Sequence, residues 1–122
     1  MSLGDVQITL VEHALVARLT GEIDMSNAEE MGTTVIGATP TEAQGVVLDL
    51  SDVDYLDSAG IYVVYSMRAS LQARGQSLVL VIPPHSPVYD ALRLSGAERP
   101  GEIAETVEEA LRATERSSPT GA

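Results

Sequence analysis

Two short apolar runs constrain the fold more than any other feature of this chain. Val46-Val47-Leu48-Asp49-Leu50 is short enough for a buried strand, and Ser77-Leu78-Val79-Leu80-Val81-Ile82 is nearly continuous in apolar residues. A strand without polar alternation is covered on both faces, as in parallel sheets flanked by helices. Between the runs lies a helical pattern from about Ala59 to Arg74, stopped by Gly75. Such a strand–helix–strand unit has parallel strands and a right-handed crossover. Upstream, Val6-Gln7-Ile8-Thr9-Leu10 alternates like a half-buried strand, Glu12-His13 reads as a turn, and Leu15 to Leu19 resumes as a second strand, so a hairpin is expected. Gly21-Glu22-Ile23-Asp24 is the exit loop, and Ser26 with Glu29 three residues on forms a capping box before Ala28, Met31 and Val35 at helical spacing. Gly37 and Pro40 end that helix. After the second run, Pro83-Pro84 stops the strand, and Ser86 caps a short helix that begins at Pro87, buries Val88, Ala91 and Leu92 and stops at Gly96. A last helix over Ile103 to Arg112 buries Ile103, Val107 and Leu111. The order β-β-α-β-α-β-α-α predicts an α/β fold: a mixed β-sheet of N-terminal hairpin plus parallel strands, packed with about four helices. Residues 1–115 are expected to form one domain, and 116–122 a small, polar, disordered tail.

Composition narrows the chemistry. At 122 residues and 44% hydrophobic content the chain suits one folded domain. There is no Phe or Trp, so the core must be built from Val, Ile, Leu, Ala and Met. The absence of Cys removes disulfides, thiolate nucleophiles and cysteine metal sites. All 7 basic residues are Arg, and without Lys there is neither Schiff-base chemistry nor a P-loop. A net charge of −11 repels nucleic acid and anionic membrane and favours a basic protein face. No run approaches the ~18 apolar residues of a membrane helix. The N-terminus lacks the basic-then-apolar pattern of a signal peptide, so the expected compartment is the cytoplasm.

The functional loop of a crossover unit lies beyond the carboxyl end of its strand. Here that is Ser51 to Asp57, a dense acidic stretch, followed by Ser58 at or beside the N-cap of the next helix. A cap hydroxyl contributes about 1 kcal/mol by accepting a first-turn amide. The same position tolerates phosphate, because the free amides and dipole of a helix start stabilise an anion. On a helical wheel Ile61, Val63, Val64, Met67 and Leu71 face the sheet, while Ser58, Tyr62, Tyr65, Ala69 and Ala73 form an outer stripe with no charge. Interface cores lack charge and favour Tyr, whereas solvated faces are charged. Asp24 also leaves a strand, and a mixed sheet can bring its loop beside Ser58.

These elements together resemble the STAS domain family, and within it the stand-alone bacterial anti-sigma factor antagonists. The resemblance rests on Gly21-Glu22-Ile23-Asp24 before a capped helix, Val47-Leu48-Asp49-Leu50-Ser51, and Leu56-Asp57-Ser58-Ala59-Gly60-Ile61, and it spans about Val6 to Leu111. It implies a partner switch. The unphosphorylated domain binds an anti-sigma factor that is also a serine kinase, phosphorylation at the position of Ser58 releases it, and a PP2C-type phosphatase resets the system. It implies that Asp24 and Asp57 are acidic neighbours of Ser58, beside Ala59 and Gly60; the partner contacts expected are Ser26, Asn27 and the outer stripe of Tyr62, Tyr65, Ala69 and Ala73. A weak homodimer is a further expected association. The sequence departs from the family pattern in two places: Ala59 replaces a second hydroxyl, and Ile61-Tyr62 replaces Leu-Gly.

Three rival readings start from the same residues. As a nucleophile, Ser58 with His85 or His13 as base lacks the Gly that a nucleophile elbow requires two residues earlier, where Leu56 stands, so no enzyme activity is expected. Asp49, Asp52, Asp54 and Asp57 offer oxygen ligands but lack the central Gly and terminal Glu of a calcium loop, so neither metal nor other cofactor is expected. The remaining alternative is a STAS adaptor or ligand-binding module, not phosphorylated, in a lipid or anion transport assembly.

Overall fold

The apolar run at Val46 to Leu50 lies in the middle strand of a five-stranded sheet. The computed structural model describes residues 4–11, 13–94 and 103–117. In chain order the elements are β1 (Asp5–Leu10), β2 (Ala14–Ile23), α1 (Ala28–Ala38), β3 (Gly45–Leu56), α2 (Ser58–Ala73), β4 (Ser77–Val81), α3 (Pro87–Leu94), β5 (Ile103–Ala104) and α4 (Val107–Ser117). The sheet order is β1-β2-β3-β4-β5. β1 is antiparallel to β2, and β2 to β5 are mutually parallel. The expected mixed α/β sheet with hairpin, parallel strands and four helices is therefore present.

Handedness explains the layering. Each crossover moves the chain one strand in the same direction, so a fixed hand sends α1, α2 and α3 to one face. On that face a large cluster joins Leu15, Leu48, Leu50, Leu71, Ile82 and Leu92 with Val35 and Val88, all of them buried. Among the described residues the opposite face is covered by α4, which presents Ala110 and Ala113 to Val47, Val79, Val81 and Ala104. Both apolar strands are thus buried on two faces, as their composition requires.

Several boundaries differ from the sequence reading. β1 is not half-buried: Val6 packs on the core, but Ile8 is 36% and Leu10 62% exposed, because the cover that α1 gives the strand does not extend to its far end. Gly21-Glu22-Ile23 belongs to β2 rather than to an exit loop, and Ser51 to Leu56 continues β3 rather than forming an acidic loop. β4 stops at Val81 opposite Asp49, so beyond it β2 and β3 run on as a two-stranded ribbon with an open face that accommodates polar side chains. Two register shifts bend this ribbon. From Asp49 to Asp52 β3 advances three positions while β2 advances two, from Arg18 to Thr20, and Asp54 is a second insertion between Val53, the partner of Gly21 (φ 84°), and Tyr55, the partner of Glu22.

Ile103 is in β5, a two-residue strand too short to leave a periodic signal, and the last helix starts at Val107. Its buried face is Ala110, Ala113 and Thr114, with Val107 and Leu111 only half-buried. α4 continues through Ser117, so 116–117 are helical, whereas the expected tail over 118–122, the stop at Gly96 and the turn residue Glu12 lie outside the described residues. His13 does turn the hairpin, and it also donates from Nε2 to the Leu111 carbonyl at 3.3 Å, tying the hairpin to α4.

Candidate functional site

The ribbon of β2 and β3 ends where the two sequence segments singled out above meet. Ile23 pairs with Leu56, and the Asp57 amide donates to the Ile23 carbonyl at 3.2 Å. The Asp24 turn and the start of α2 are therefore side by side at the carboxyl end of the sheet.

Asp57, not Ser58, is the N-cap of α2. Its carboxylate accepts the Gly60 amide at 3.0 Å, and its carbonyl accepts the Ile61 amide at 3.0 Å. Both residue types cap well, and the carboxylate adds charge that favours the positive end of the helix dipole. Ser58 is thereby relieved of capping and stands as the first helical residue, exposed to solvent. Gly60 is buried one turn in, where a Cβ would lie 2.4 Å from Leu56 Cδ1 and 3.2 Å from Ile23 Cγ2. Glycine lets the helix start sit directly on the two strand ends, and Ala59 packs half-buried against the core.

The Asp24 side is equally ordered, though not as a capping box. Asp24 Oδ1 accepts the Ser26 amide at 2.9 Å and the Ser26 hydroxyl at 2.5 Å. The helix starts at Ala28 with Asn27 as N-cap, and no side chain caps it. Ser26 is drawn back to Asp24 instead of forward to the helix, so the expected Ser26–Glu29 box is absent. Asn27 clasps the turn, accepting the Asp24 amide at 3.0 Å and donating to the Glu22 carbonyl at 2.9 Å. The Ser26 hydroxyl and amide stabilise the Asp24 carboxylate and hold its pKa below the usual 3.8, against a small opposing effect of burial.

Of the expected outer stripe, Ser58, Tyr62, Ala69 and Ala73 are exposed, Tyr62 at 71%. Tyr65 departs from it: its ring is half-buried against the core, and the Arg68 guanidinium lies over it at 5.2 Å from the centroid. The stripe is thus bordered by a cation on that side. On the inner side Val64, Met67 and Leu71 are buried as expected, while Ile61 and Val63 are only half-buried. Two further large apolar side chains were missed in the sequence. Met25, 84% exposed, stands in the Asp24 turn, and Tyr55, 52% exposed, stands two residues before the cap. A lone Met in a turn and a Tyr between aspartates carry no periodicity, and only the ribbon places them at the same end as Tyr62.

Acidic side chains dominate the end of the ribbon. Glu22 and Asp54 are exposed and Asp24 and Asp57 half-exposed, while Asp52 is paired with Arg18 on the ribbon's open face. Asp49 lies within the strand, taking the Ser51 amide at 3.0 Å. Asp49, Asp52 and Asp54 are strung along β3 and Asp57 follows it as the cap of α2, and among the described residues no three acidic or histidine side chains are placed to hold a metal. Neither His13, bound to α4, nor His85, in the turn before α3, has a hydrogen bond to Ser58 among the described residues. No helix among the described residues is long and apolar enough to cross a membrane.

Comparison with known proteins agrees with this geometry. The STAS domain family matches residues 5–110. BtrV of Bordetella bronchiseptica, named as an anti-sigma factor antagonist, is 31% identical over 87 residues, 70% of this chain and 73% of its own. In three dimensions an anti-sigma factor antagonist from Mycobacterium paratuberculosis superposes with a TM-score of 0.81 at 20% identity, covering 93% of this chain and 95% of its own. The anti-sigma factor antagonist SpoIIAA superposes in its unphosphorylated form with a TM-score of 0.71 at 22% identity (92% and 96% covered). In its phosphorylated form, from Bacillus, the score is 0.65 at 21% identity (88% and 97% covered). With the whole sheet and both halves of the Asp24–Ser58 site inside the matched region, the chain belongs to the STAS domain family.

Proposed function

We propose that this protein is an anti-sigma factor antagonist, a binding module without enzyme activity that acts in the cytoplasm and is controlled by phosphorylation of Ser58. The observation that carries the reading is the exposed Ser58 hydroxyl at the first residue of α2, beside its Asp57 cap and at one end of the molecule with Met25, Tyr55 and Tyr62. The 31% identity to BtrV supports the partner class, an anti-sigma factor.

The switch follows from electrostatics. Unphosphorylated, the site offers exposed apolar groups within an acidic rim, which suits a partner with a basic rim. The partner's serine kinase activity transfers a phosphoryl group to Ser58, adding about −1.5 to −2 charges. The fold accommodates the group, since first-turn amides point outward at a helix start. The interface does not, because the dianion must lose hydration beside Asp57, which already occupies the Gly60 amide. A buried unpaired charge costs about 2–5 kcal/mol of binding, or roughly 30- to several-thousand-fold in affinity. Release needs no refolding, and a PP2C-type phosphatase restores the binding form. The test is incubation with the cognate kinase and ATP, followed by peptide mass spectrometry. One phosphate on Ser58 is expected, and undiminished labelling of Ser58→Ala would refute the assignment.

A further inference from the structure

We propose that β1 is the contact through which a second copy of this chain docks, extending the sheet antiparallel across a two-fold axis at Ile8. β1 is the outer strand of the sheet, so one row of its backbone amides and carbonyls faces away from β2. Soluble proteins blunt such edges with Lys, Pro, bulges or very short strands. Asp5-Val6-Gln7-Ile8-Thr9-Leu10 has none of these: it pairs with β2 without a register shift over six residues, and its one charge is at its first position.

The side chains identify the occupant. Val6, Ile8 and Leu10 pair with Leu19, Ala17 and Leu15, so they share the face that α1 and α2 cover. Cover fades along the strand, from half-buried Val6 through Ile8 at 36% exposure to Leu10 at 62%. Paired residues in an antiparallel ladder point to the same face. Centring a second β1 on Ile8 sets Ile8 opposite Ile8, Val6 opposite Leu10 and Gln7 opposite Thr9. From Val6 to Leu10 every apolar residue then meets an apolar residue and every polar one a polar one, and Asp5 falls opposite Val11. The two Asp5 residues end about 20 Å apart at ~3.4 Å per residue, beyond the ~10 Å screening length. A strand of identical sequence is thus complementary to this edge. The proposal is independent of Ser58, which lies at the carboxyl end of the sheet.

Sedimentation velocity of the intact chain over a concentration series tests it. A monomer–dimer equilibrium is expected, strengthening with salt, because screening relieves repulsion between two copies of charge −11. Ile8→Lys, which sets like charges directly opposite, should weaken the dimer at least about tenfold while leaving the monomer's circular dichroism unchanged. The chain has no cysteine, so single Cys variants report register directly. Ile8→Cys places two Cα atoms about 4.5–5.5 Å apart, within disulfide reach, whereas Leu10→Cys places them about 13 Å apart. Rapid cross-linking of Ile8→Cys and slow cross-linking of Leu10→Cys supports the proposal. Equal rates, or a chain monomeric at every concentration, overturns it and leaves the edge to a strand of another protein.

Discussion

At the scale of single residues, two adjacent capping residues divide their labour. Asp57 holds the helix start, so Ser58 is free to face solvent. Asp57→Ala should therefore destabilise the fold by about 0.5–2 kcal/mol, readable by chemical denaturation, whereas Ser58→Ala should be close to neutral. Sequence showed that a cap is here but not which residue supplies it, since both types are good caps and helix boundaries read from pattern slip by a residue. The opposite slip occurred at Ser26, where a capping-box pattern yielded to the nearer carboxylate of Asp24. That contact has a measurable consequence. A carboxyl whose folded pKa is depressed contributes stability above its unfolded value of 3.8 and loses it as pH falls through the lower folded value. Ser26→Ala should raise the Asp24 pKa toward 3.8, readable as its carboxyl titration by NMR. If the titration is unchanged, the Ser26 bonds are not its cause.

At the scale of elements, the long reach of β3 makes the site. An apolar run marks its first half, and this half was legible. Its second half, Ser51 to Leu56, is polar because it lies in a ribbon with one open face, and polar residues without a covered partner strand read as loop. β1 was misjudged in the other sense: alternation revealed the strand but not that the helices cover only its Val6 end. The pairing of β3 with β4 depends on a glycine that sequence could not explain. A Cβ on Gly45 would lie 2.5 Å from the Ser77 carbonyl oxygen, a backbone atom that cannot step aside. Gly45→Ala should cost about 1–3 kcal/mol, seen as a lower denaturation midpoint with the slope unchanged. On α2, Tyr62 is exposed and Tyr65 is not free, so Tyr62→Ala should weaken partner binding by about 1 kcal/mol or more without altering stability. Tyr65→Ala should lower stability through lost packing. Equal effects of the two on both readouts would remove the distinction.

At the scale of the whole molecule, topology was the most legible property. Two apolar strands, a hairpin and intervening helical patterns specify a mixed sheet, and crossover handedness then decides which face each helix covers. The same topology separates two surfaces with different chemistry. The carboxyl end collects Asp24, Asp57, Ser58, Met25, Tyr55 and Tyr62, whereas the β1 edge is nearly uncharged. That Met25, Tyr55 and Tyr62 share the carboxyl end of the sheet could not be read from the chain, because it depends on a ribbon whose register shifts leave no pattern in sequence. The central claim is that charge at Ser58 decides partner binding at the carboxyl end. The most direct measurement is the affinity of one cognate anti-sigma factor, with nucleotide bound, for the unphosphorylated protein and for the same protein fully phosphorylated on Ser58. The phosphorylated form should bind at least about 30-fold more weakly, and equal affinity, or tighter binding by the phosphorylated form, would contradict the account.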